Sequence, residues 1–217
     1  MLAVLIAILS ITVLGLPVTL TVDRSARGPI LLGLAFLYGS GLVFLVMLAL
    51  SMLHIQWSVL TLTIVALIVW IATWFGRRQP DNPATRQLKL HWLDIPTAIS
   101  MIGFALFATS APLWEWDFWA IWGMKARVFL EHGGIDWRFL ESRWNTYVHP
   151  DYPLLVPLNF DFVALLSGGW SDRWLGLMSV AWAAALLLIA RDLASREMSR
   201  VPAALVTLTI TGLAASR

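Results

Sequence analysis

The sequence predicts an all-α integral membrane protein, a polytopic bundle of about six to seven spans with amphipathic interfacial helices in one large outer loop. Of its 217 residues, 59% are hydrophobic and only 13% are charged, whereas soluble domains have about 25% charged residues. Apolar stretches long enough to cross a bilayer recur along the chain. Thirteen tryptophans include a group in one polar segment, and tryptophan is enriched where a membrane meets water.

The same composition excludes several classes of protein. The charge is too low for a soluble enzyme or a disordered chain. The chain has no cysteine, so disulfides, zinc sites built from cysteine and thiol catalysis are excluded. The net charge is +2, and we interpret the basic residues beside apolar spans as signals of membrane topology. No nucleic acid is expected as a partner.

Four apolar stretches near the N-terminus predict membrane spans of about 20 residues. Their bounds are about Leu2–Val22, Ile30–Leu53, Trp57–Phe75 and Trp92–Ala111. No basic segment precedes the first stretch, which is too long for a signal peptide. Weaker apolar stretches follow at about Leu154–Ser167, Trp174–Ala190 and Val201–Ala215.

Basic residues in short loops predict which side of the membrane each loop occupies, because such loops stay in the cytoplasm. Arg24, Arg27 and the basic segment 77–89 are therefore expected to be cytoplasmic. This places the segment Pro112–Asp151 outside, in a multi-pass protein that we expect in a bacterial inner (plasma) membrane.

The last part of the chain conflicts with this count of spans. Counting every apolar stretch as a crossing places Arg191, Arg196 and Arg200 outside, against the rule. Two explanations stay open. Either the stretch Leu154–Ser167 does not cross fully, or acidic neighbours of the three arginines offset their signal.

The segment 112–153 differs from its surroundings because it is rich in both tryptophan and acidic residues. Its tryptophans are Trp114, Trp116, Trp119, Trp122, Trp137 and Trp144, and its acids are Glu115, Asp117, Glu131, Asp136, Glu141 and Asp151. We expect two helices along the membrane surface, at about 117–131 and 137–144, separated by Gly133 and Gly134. Helical spacing predicts a lipid-facing apolar side formed by Trp119, Trp122, Ala126 and Phe129.

Asp117 is the main candidate for chemistry in this loop. On a helix, Asp117, Ile121 and Lys125 form one stripe. A carboxylate beside aromatic rings at the membrane surface could serve as a general base. The alternative is that Asp117 only provides a favourable anion at a helix N-terminus.

Three further features have two interpretations each. His149 and Asp151 lie in a proline-stiffened approach to an apolar stretch, where they could face a ligand or form an ordinary loop. Lys125 and Arg127 could bind a phosphate or lie among lipid headgroups. Asp161 falls inside an apolar stretch, where a charge is costly and is either functional or a structural hydrogen-bond partner.

The order of these features resembles the membrane glycosyltransferases of the GT-C superfamily, particularly the protein O-mannosyltransferases and aminoarabinose transferases. The resemblance rests on Asp117 in WEWDFWAIWGMKARVF, on HPDYPLLVPL at 149–158 and on the following GGWSDRWLGLMSVAW. It divides the chain into an N-terminal three-span region with a basic cytoplasmic loop, 1–91, and a GT-C-like region, 92–217, whose catalytic outer loop spans about 112–153. Relatives continue for further spans, so we expect the polypeptide to be truncated at its C-terminus.

This resemblance implies transfer of a sugar from a polyprenyl-phosphate donor to an acceptor hydroxyl at the outer face of the membrane. Asp117 would be the catalytic base. The substrate-binding residues would be Lys125, Arg127, His149, Asp151, Tyr152, Glu115 and Trp119. No cofactor is required, and a divalent metal is not excluded, although no ligand spacing is diagnostic of one. The acceptor is not identified.

A non-catalytic membrane subunit that binds or carries a lipid-linked sugar is the alternative. The aromatic loop and its basic residues could hold a lipid phosphate without any reaction. A transporter is disfavoured because the stretches 30–53 and 57–75 are free of charged residues, which transport pathways usually need at mid-membrane.

Overall fold

The computed structural model describes residues 1–76, 91–112 and 116–215. All regular secondary structure in these residues is helical, which confirms the predicted all-α class. The helices are α1 Leu2–Val22, α2 Pro29–Met52, α3 Val59–Gly76, α4 Asp94–Ser110, a π-helix Asp117–Trp122, α5 Gly123–His132, α6 Trp137–Glu141, a 3₁₀ helix Arg143–Val148, α7 Leu155–Ser167, a 3₁₀ turn Trp174–Gly176, α8 Leu177–Glu197 and α9 Arg200–Ala215.

Three helical segments of the described chain are long and apolar enough to cross a membrane. They are Leu2–Val22, Pro29–Met52 and Trp174–Glu197, with mean hydropathies of 2.5, 2.3 and 1.7. Shorter apolar helices lie at Val59–Phe75, Asp94–Ser110 and Leu155–Ser167. The 13 residues of α7 span only about 20 Å at 1.5 Å per residue, whereas the apolar core of a bilayer is about 30 Å thick.

Two glycines allow α1 and α2 to pack with their backbones in contact. A Cβ added at Gly39 would lie 1.9 Å from the carbonyl oxygen of Ile11, and one at Gly15 would lie 1.9 Å from that of Ala35. In a membrane, where apolar burial does not drive association between helices, such close packing of small residues is a main source of helix–helix affinity. The α1–α2 pair is therefore fixed by main-chain contact.

A buried hydrogen-bonded cluster joins α2 to α7 and α8. The Ser40 hydroxyl donates to Oδ1 of Asn159 at 2.8 Å, and Nδ2 of Asn159 donates to the Ser40 carbonyl at 3.1 Å. The indole Nε1 of Trp182 donates to the Ser40 hydroxyl at 3.1 Å. Buried polar groups are stable only when they are paired, so this cluster specifies how the three helices meet. The two sequence-defined regions, 1–91 and 92–217, share this core.

One end of the bundle contains the arginines between α1 and α2 and those at the end of α8. The Asp94 carboxylate, at the start of α4, accepts hydrogen bonds from Nε and Nη2 of Arg191 at 2.9 and 3.2 Å. At the end of α1, a hydrogen bond from the Ser25 side chain lowers the pKa of Asp23 against the opposing effect of partial burial, and the charge of Arg196 acts with the hydrogen bond. Residues 23–28, 91–94 and 191–200 therefore form one side, called the basic end here.

The opposite side, called the loop end, contains the described residues of the segment 112–153, called the long loop here. The Trp57 amide donates to the Gly133 carbonyl at 2.7 Å, and the Ile135 amide donates to the Ser51 hydroxyl at 3.1 Å. Nε of Arg173 donates to the carbonyl of Thr109, at the end of α4, at 2.5 Å. Residues 51–58, 109–112, 116–153 and 168–173 therefore lie together.

These contacts place both ends of α7 at the loop end, since α7 follows the segment ending at 153 and precedes residues 168–173. The helix therefore lies within the bundle without connecting the loop end to the basic end. Arg191, Arg196 and Arg200 consequently share the basic end with Arg24. Of the two explanations for the conflicting charge pattern, the contacts favour the one in which Leu154–Ser167 does not cross.

Replacing Gly39 by Ala is expected to destabilise the bundle by about 1–3 kcal/mol, because the new Cβ would overlap the Ile11 carbonyl and the backbones would have to separate. Gly41→Ala is the matched control, since a Cβ at Gly41 meets no atom within 4 Å. Thermal unfolding in detergent measures both. Equal melting temperatures for the two variants would contradict the close α1–α2 contact.

The position of α7 can be tested with single cysteines, because the chain contains none of its own. A membrane-impermeant maleimide is expected to label Thr146→Cys and Ser171→Cys from one side of sealed vesicles. Arg24→Cys and Ser199→Cys are expected to react only from the other side. Labelling of Ser171→Cys together with Arg24→Cys would show that α7 crosses the membrane.

Candidate functional site

Asp117 is the first residue of the π-helix Asp117–Trp122, and its side chain is exposed. Among the described residues, its carboxylate has no hydrogen-bond or ion-pair partner. Exposed tryptophan rings flank it, with the centroids of Trp116 and Trp119 5.8 Å apart. π-Helices are rare and occur frequently at functional sites. The predicted neighbour Glu115 lies outside the described residues.

The predicted helix 117–131 corresponds to the continuous helical stretch 117–132, and the predicted helix 137–144 begins at Trp137 as expected but is interrupted after Glu141. The predicted exposure of the first helix is only partly correct. The stretch 117–131 divides into the π-helix and α5, and the stretch 137–144 divides into α6 and a 3₁₀ helix. Trp119 is 55% exposed as expected, but Ala126 and Phe129 are fully buried. The predicted lipid-facing side is wrong for these two residues because α5 packs against α7, which covers it.

Lys125 lies at the centre of a cluster in the long loop. Its side chain is fully buried, and its ammonium donates a hydrogen bond to the carbonyl of His149. The same ammonium lies 5.5 Å from the ring centroid of Trp122 and 5.7 Å from that of Tyr152. Aromatic faces attract a cation, more strongly where water is excluded. The ammonium therefore joins α5 to the segment that precedes α7.

Burial lowers the pKa of Lys125, because removal from water disfavours the charged ammonium. The negative charge of Asp151 acts in the opposite direction and partly restores the charged form. The carbonyl, the two rings and Asp151 together compensate a buried cation. In this arrangement the ammonium has no face open to a ligand, so a phosphate would reach it only after the His149–Tyr152 segment moved.

His149 has an unusual backbone for a residue with a side chain, with φ 49° at the end of the 3₁₀ helix. Its exposed ring stacks on Tyr152, with centroids 4.6 Å apart and planes inclined by 18°. Four predicted binding residues therefore lie close together. Lys125 provides the ammonium, and His149, Asp151 and Tyr152 lie around it. Whether they bind a substrate stays a prediction.

Arg127 lies apart from this cluster. Its guanidinium is exposed and forms an ion pair with Glu131 at 3.7 Å, one turn further along α5. Such exposed pairs on a helix contribute about 0.3–0.5 kcal/mol, so the arginine could readily exchange this partner for another anion. The structure shows no hydrogen bond or ion pair between Asp117 and Lys125, the two charged members of the predicted stripe.

Asp161 is completely buried in α7, and neither carboxylate oxygen has a hydrogen-bond partner in the described residues. The interpretation of Asp161 as a structural hydrogen-bond partner is therefore not supported. The cluster of Ser40, Asn159 and Trp182 was missed by the sequence analysis. The available signal was the asparagine within the apolar stretch Leu154–Ser167, since a polar side chain there needs a partner.

The part of the chain that the structure describes contains no group of three His, Asp or Glu side chains placed to share a metal ion. Comparison with protein-family models, with curated proteins and with solved structures finds no match to this chain. The functional interpretation therefore depends on the loop residues themselves.

Lys125→Met is expected to change the pH dependence of stability. The folded-state pKa of Lys125 is lowered from its ordinary 10.5, so between these two values the unfolded chain binds more protons than the folded chain. Stability of the wild type should therefore rise with pH across that alkaline window. The variant, which keeps a long side chain but has no titrating group, should lack this rise.

Detergent-solubilised protein unfolded by denaturant at several alkaline pH values provides the measurement. Subtracting the two curves removes the contributions of other titrating groups. Parallel curves for wild type and Lys125→Met would contradict a buried ammonium with a lowered pKa.

Proposed function

We propose that this chain is a membrane glycosyltransferase that moves a sugar from a polyprenyl-phosphate donor to an acceptor hydroxyl. The observation that supports it most directly is the exposed carboxylate of Asp117, without a partner in the described residues, on the first residue of a π-helix at the loop end. A general base must be accessible and free to accept a proton. The remaining support is the resemblance of the loop to the GT-C enzymes.

In the proposed reaction, Asp117 accepts the proton of the acceptor hydroxyl. The hydroxyl oxygen forms a bond to the anomeric carbon of the donor sugar from the face opposite the phosphate. The bond between that carbon and the phosphate oxygen breaks, its electron pair stays on the lipid phosphate, and configuration at the anomeric carbon is inverted. The balanced products are the glycosylated acceptor, the free lipid phosphate and a protonated Asp117.

The departing phosphate gains negative charge, so a cation or hydrogen-bond donor near it lowers the barrier. His149 and Arg127 are the exposed candidates. Lys125 contributes by positioning His149 through the carbonyl that it contacts. The exposed ring of Trp119 is suited to stack on the apolar face of a sugar, and Tyr152, on which His149 already stacks, remains a proposed binding residue. Glu115 and Asp151 remain proposed binding residues.

The chain is proposed to be a multi-pass protein of a bacterial inner membrane. The basic end would face the cytoplasm, as arginine-rich short loops do, and the loop end would be outside. Under this proposal α1, α2, α3, α4, α8 and α9 cross, and α7 does not. The donor tail would lie in the bilayer beside these helices, with its headgroup under the loop.

A non-catalytic subunit that binds a lipid-linked sugar is the second candidate. It is favoured by the state of Lys125, whose ammonium is buried and already bonded to a carbonyl. A catalytic site would be expected to keep that cation open to the leaving phosphate. The two candidate functions predict different effects of removing the Asp117 carboxylate on sugar transfer and on donor binding.

Asp117→Asn is expected to reduce sugar transfer by about a hundredfold or more, because asparagine keeps the shape but cannot accept the proton. Transfer is measured in membranes with radiolabelled polyprenyl-phosphate mannose and polyprenyl-phosphate aminoarabinose as donors. Glu141→Gln, which neutralises another exposed acid of the same loop, is the matched control and should retain activity.

Equal transfer by wild type and Asp117→Asn would remove Asp117 from the chemistry. Donor binding without transfer by the wild type would instead favour the binding subunit. In that case Asp117→Asn is expected to bind the donor at least as well as the wild type, because a carboxylate repels a phosphate.

A further inference from the structure

A groove of about 700 Å³, lined by apolar surface and by several polar side chains, opens at the loop end, between the turn that follows α2 and the turn that follows α5. The proposed glycosyl transfer does not use it. Its polar lining comprises His54, Gln56, His132, Asp136 and Arg138, with Trp137 beside them. His132 is seven residues after Lys125, so about 10 Å of helix separates the groove from the Lys125 cluster, and about 20 Å separates it from Asp117.

The groove contains more hydrogen-bond donors than the protein itself uses. Within the described residues, the side chains of His54, Gln56, His132 and Arg138 have no hydrogen-bond or ion-pair partner. Oδ1 of Asp136 accepts the Phe139 amide at 3.0 Å and caps α6, so this carboxylate has a structural role at the rim of the groove. The free donors comprise a guanidinium, two imidazoles and an amide, which together are suited to an anion with several oxygens.

The backbone of His54 provides an independent observation. It follows the last residue of α2 with φ 56°, the left-handed conformation that glycine usually adopts after a helix. A histidine there is strained relative to glycine, and such strain persists where the surroundings or a function require it. The strained position places an imidazole, rather than a hydrogen atom, at the wall of the groove.

The depth of the groove in the membrane indicates the source of the anion. The apolar helix α2 ends at Met52, which is 65% exposed, and Leu53 is 68% exposed. The polar wall of the groove begins one residue later, at His54. Trp137 is 38% exposed, and tryptophan favours the level of lipid headgroups. The groove therefore lies where the phosphates of membrane lipids lie, and its volume accommodates more than a bare ion.

We propose that the groove lined by His54, His132 and Arg138 is a phosphate-binding site that holds a phosphate-bearing headgroup at the membrane surface. Arg138 contacts two phosphate oxygens with its planar fork of N–H groups. The two imidazoles and the Gln56 amide donate to the remaining oxygens. The site is independent of sugar transfer and of Asp117.

Calorimetric titration of the full chain in dodecyl maltoside, a phosphate-free detergent, tests the proposal. The probes are inorganic phosphate, soluble dihexanoyl phosphatidic acid, and dihexanoylglycerol as the matched molecule without phosphate. Saturation by phosphatidic acid alone assigns the site to a lipid headgroup, and saturation by inorganic phosphate as well shows that the phosphate group suffices. Either result supports the site if Arg138→Gln weakens binding at least tenfold.

Arg143→Gln is the control, because this exposed arginine of the same loop does not line the groove, and its binding should equal that of the wild type. His54→Gly separates a ligand role from a structural one. It should weaken phosphate binding several-fold while the melting temperature stays constant or rises, since glycine relieves the backbone strain.

The proposal is overturned if neither phosphate probe binds, or if dihexanoylglycerol binds as well as phosphatidic acid. It is also overturned if Arg138→Gln weakens phosphate binding by less than tenfold. Arg138 is exposed, so its replacement is not expected to prevent folding.

Discussion

The hydrogen bonds around Ser40 determine where α7 lies, and the long loop is built on α7. Asn159 is held by both the hydroxyl and the carbonyl of Ser40, and Trp182 completes the cluster from α8. An asparagine in an apolar interior that lost these partners would retain unpaired polar atoms at a cost of about 1–3 kcal/mol. The short helix is thus fixed against α2 and α8, although it is too short to cross the membrane.

With α7 fixed, the loop acquires a buried side. Phe129 and Ala126 of α5 enter the core, and the ring of Phe118 meets that of Phe160 edge-on at 5.3 Å. This packing turns Lys125 inward, where the His149 carbonyl, two aromatic rings and the charge of Asp151 compensate its own charge. Asp117, one residue before Phe118, stays exposed. The same packing therefore leaves Asp117 exposed and Lys125 buried. The two charged members of the predicted stripe thus have different environments.

Because both segments that flank α7 lie at the loop end, α8 runs between the same two ends of the bundle as α2. The arginines after α8 share a side with those between α1 and α2, and the long loop, the groove at His54 and both ends of α7 occupy the other. Two histidines, His54 and His149, adopt left-handed backbone conformations at this second side. The ring of His149 stacks on Tyr152, and His54 lines the groove.

Several properties could be read from the sequence because they depend on composition or on local spacing. The apolar stretches predicted α1 and α2 closely, and the tryptophan-rich acidic segment predicted helices between α4 and α7. Local spacing could not predict that Ala126 and Phe129 are buried, because their covering comes from α7, some 30 residues further along the chain. It could not predict the Asp94–Arg191 pair or the Ser40–Asn159 contact for the same reason. The groove likewise joins the end of α2 to the end of α5. Long-range packing alone decides which polar side chains find partners and which remain free to bind a ligand.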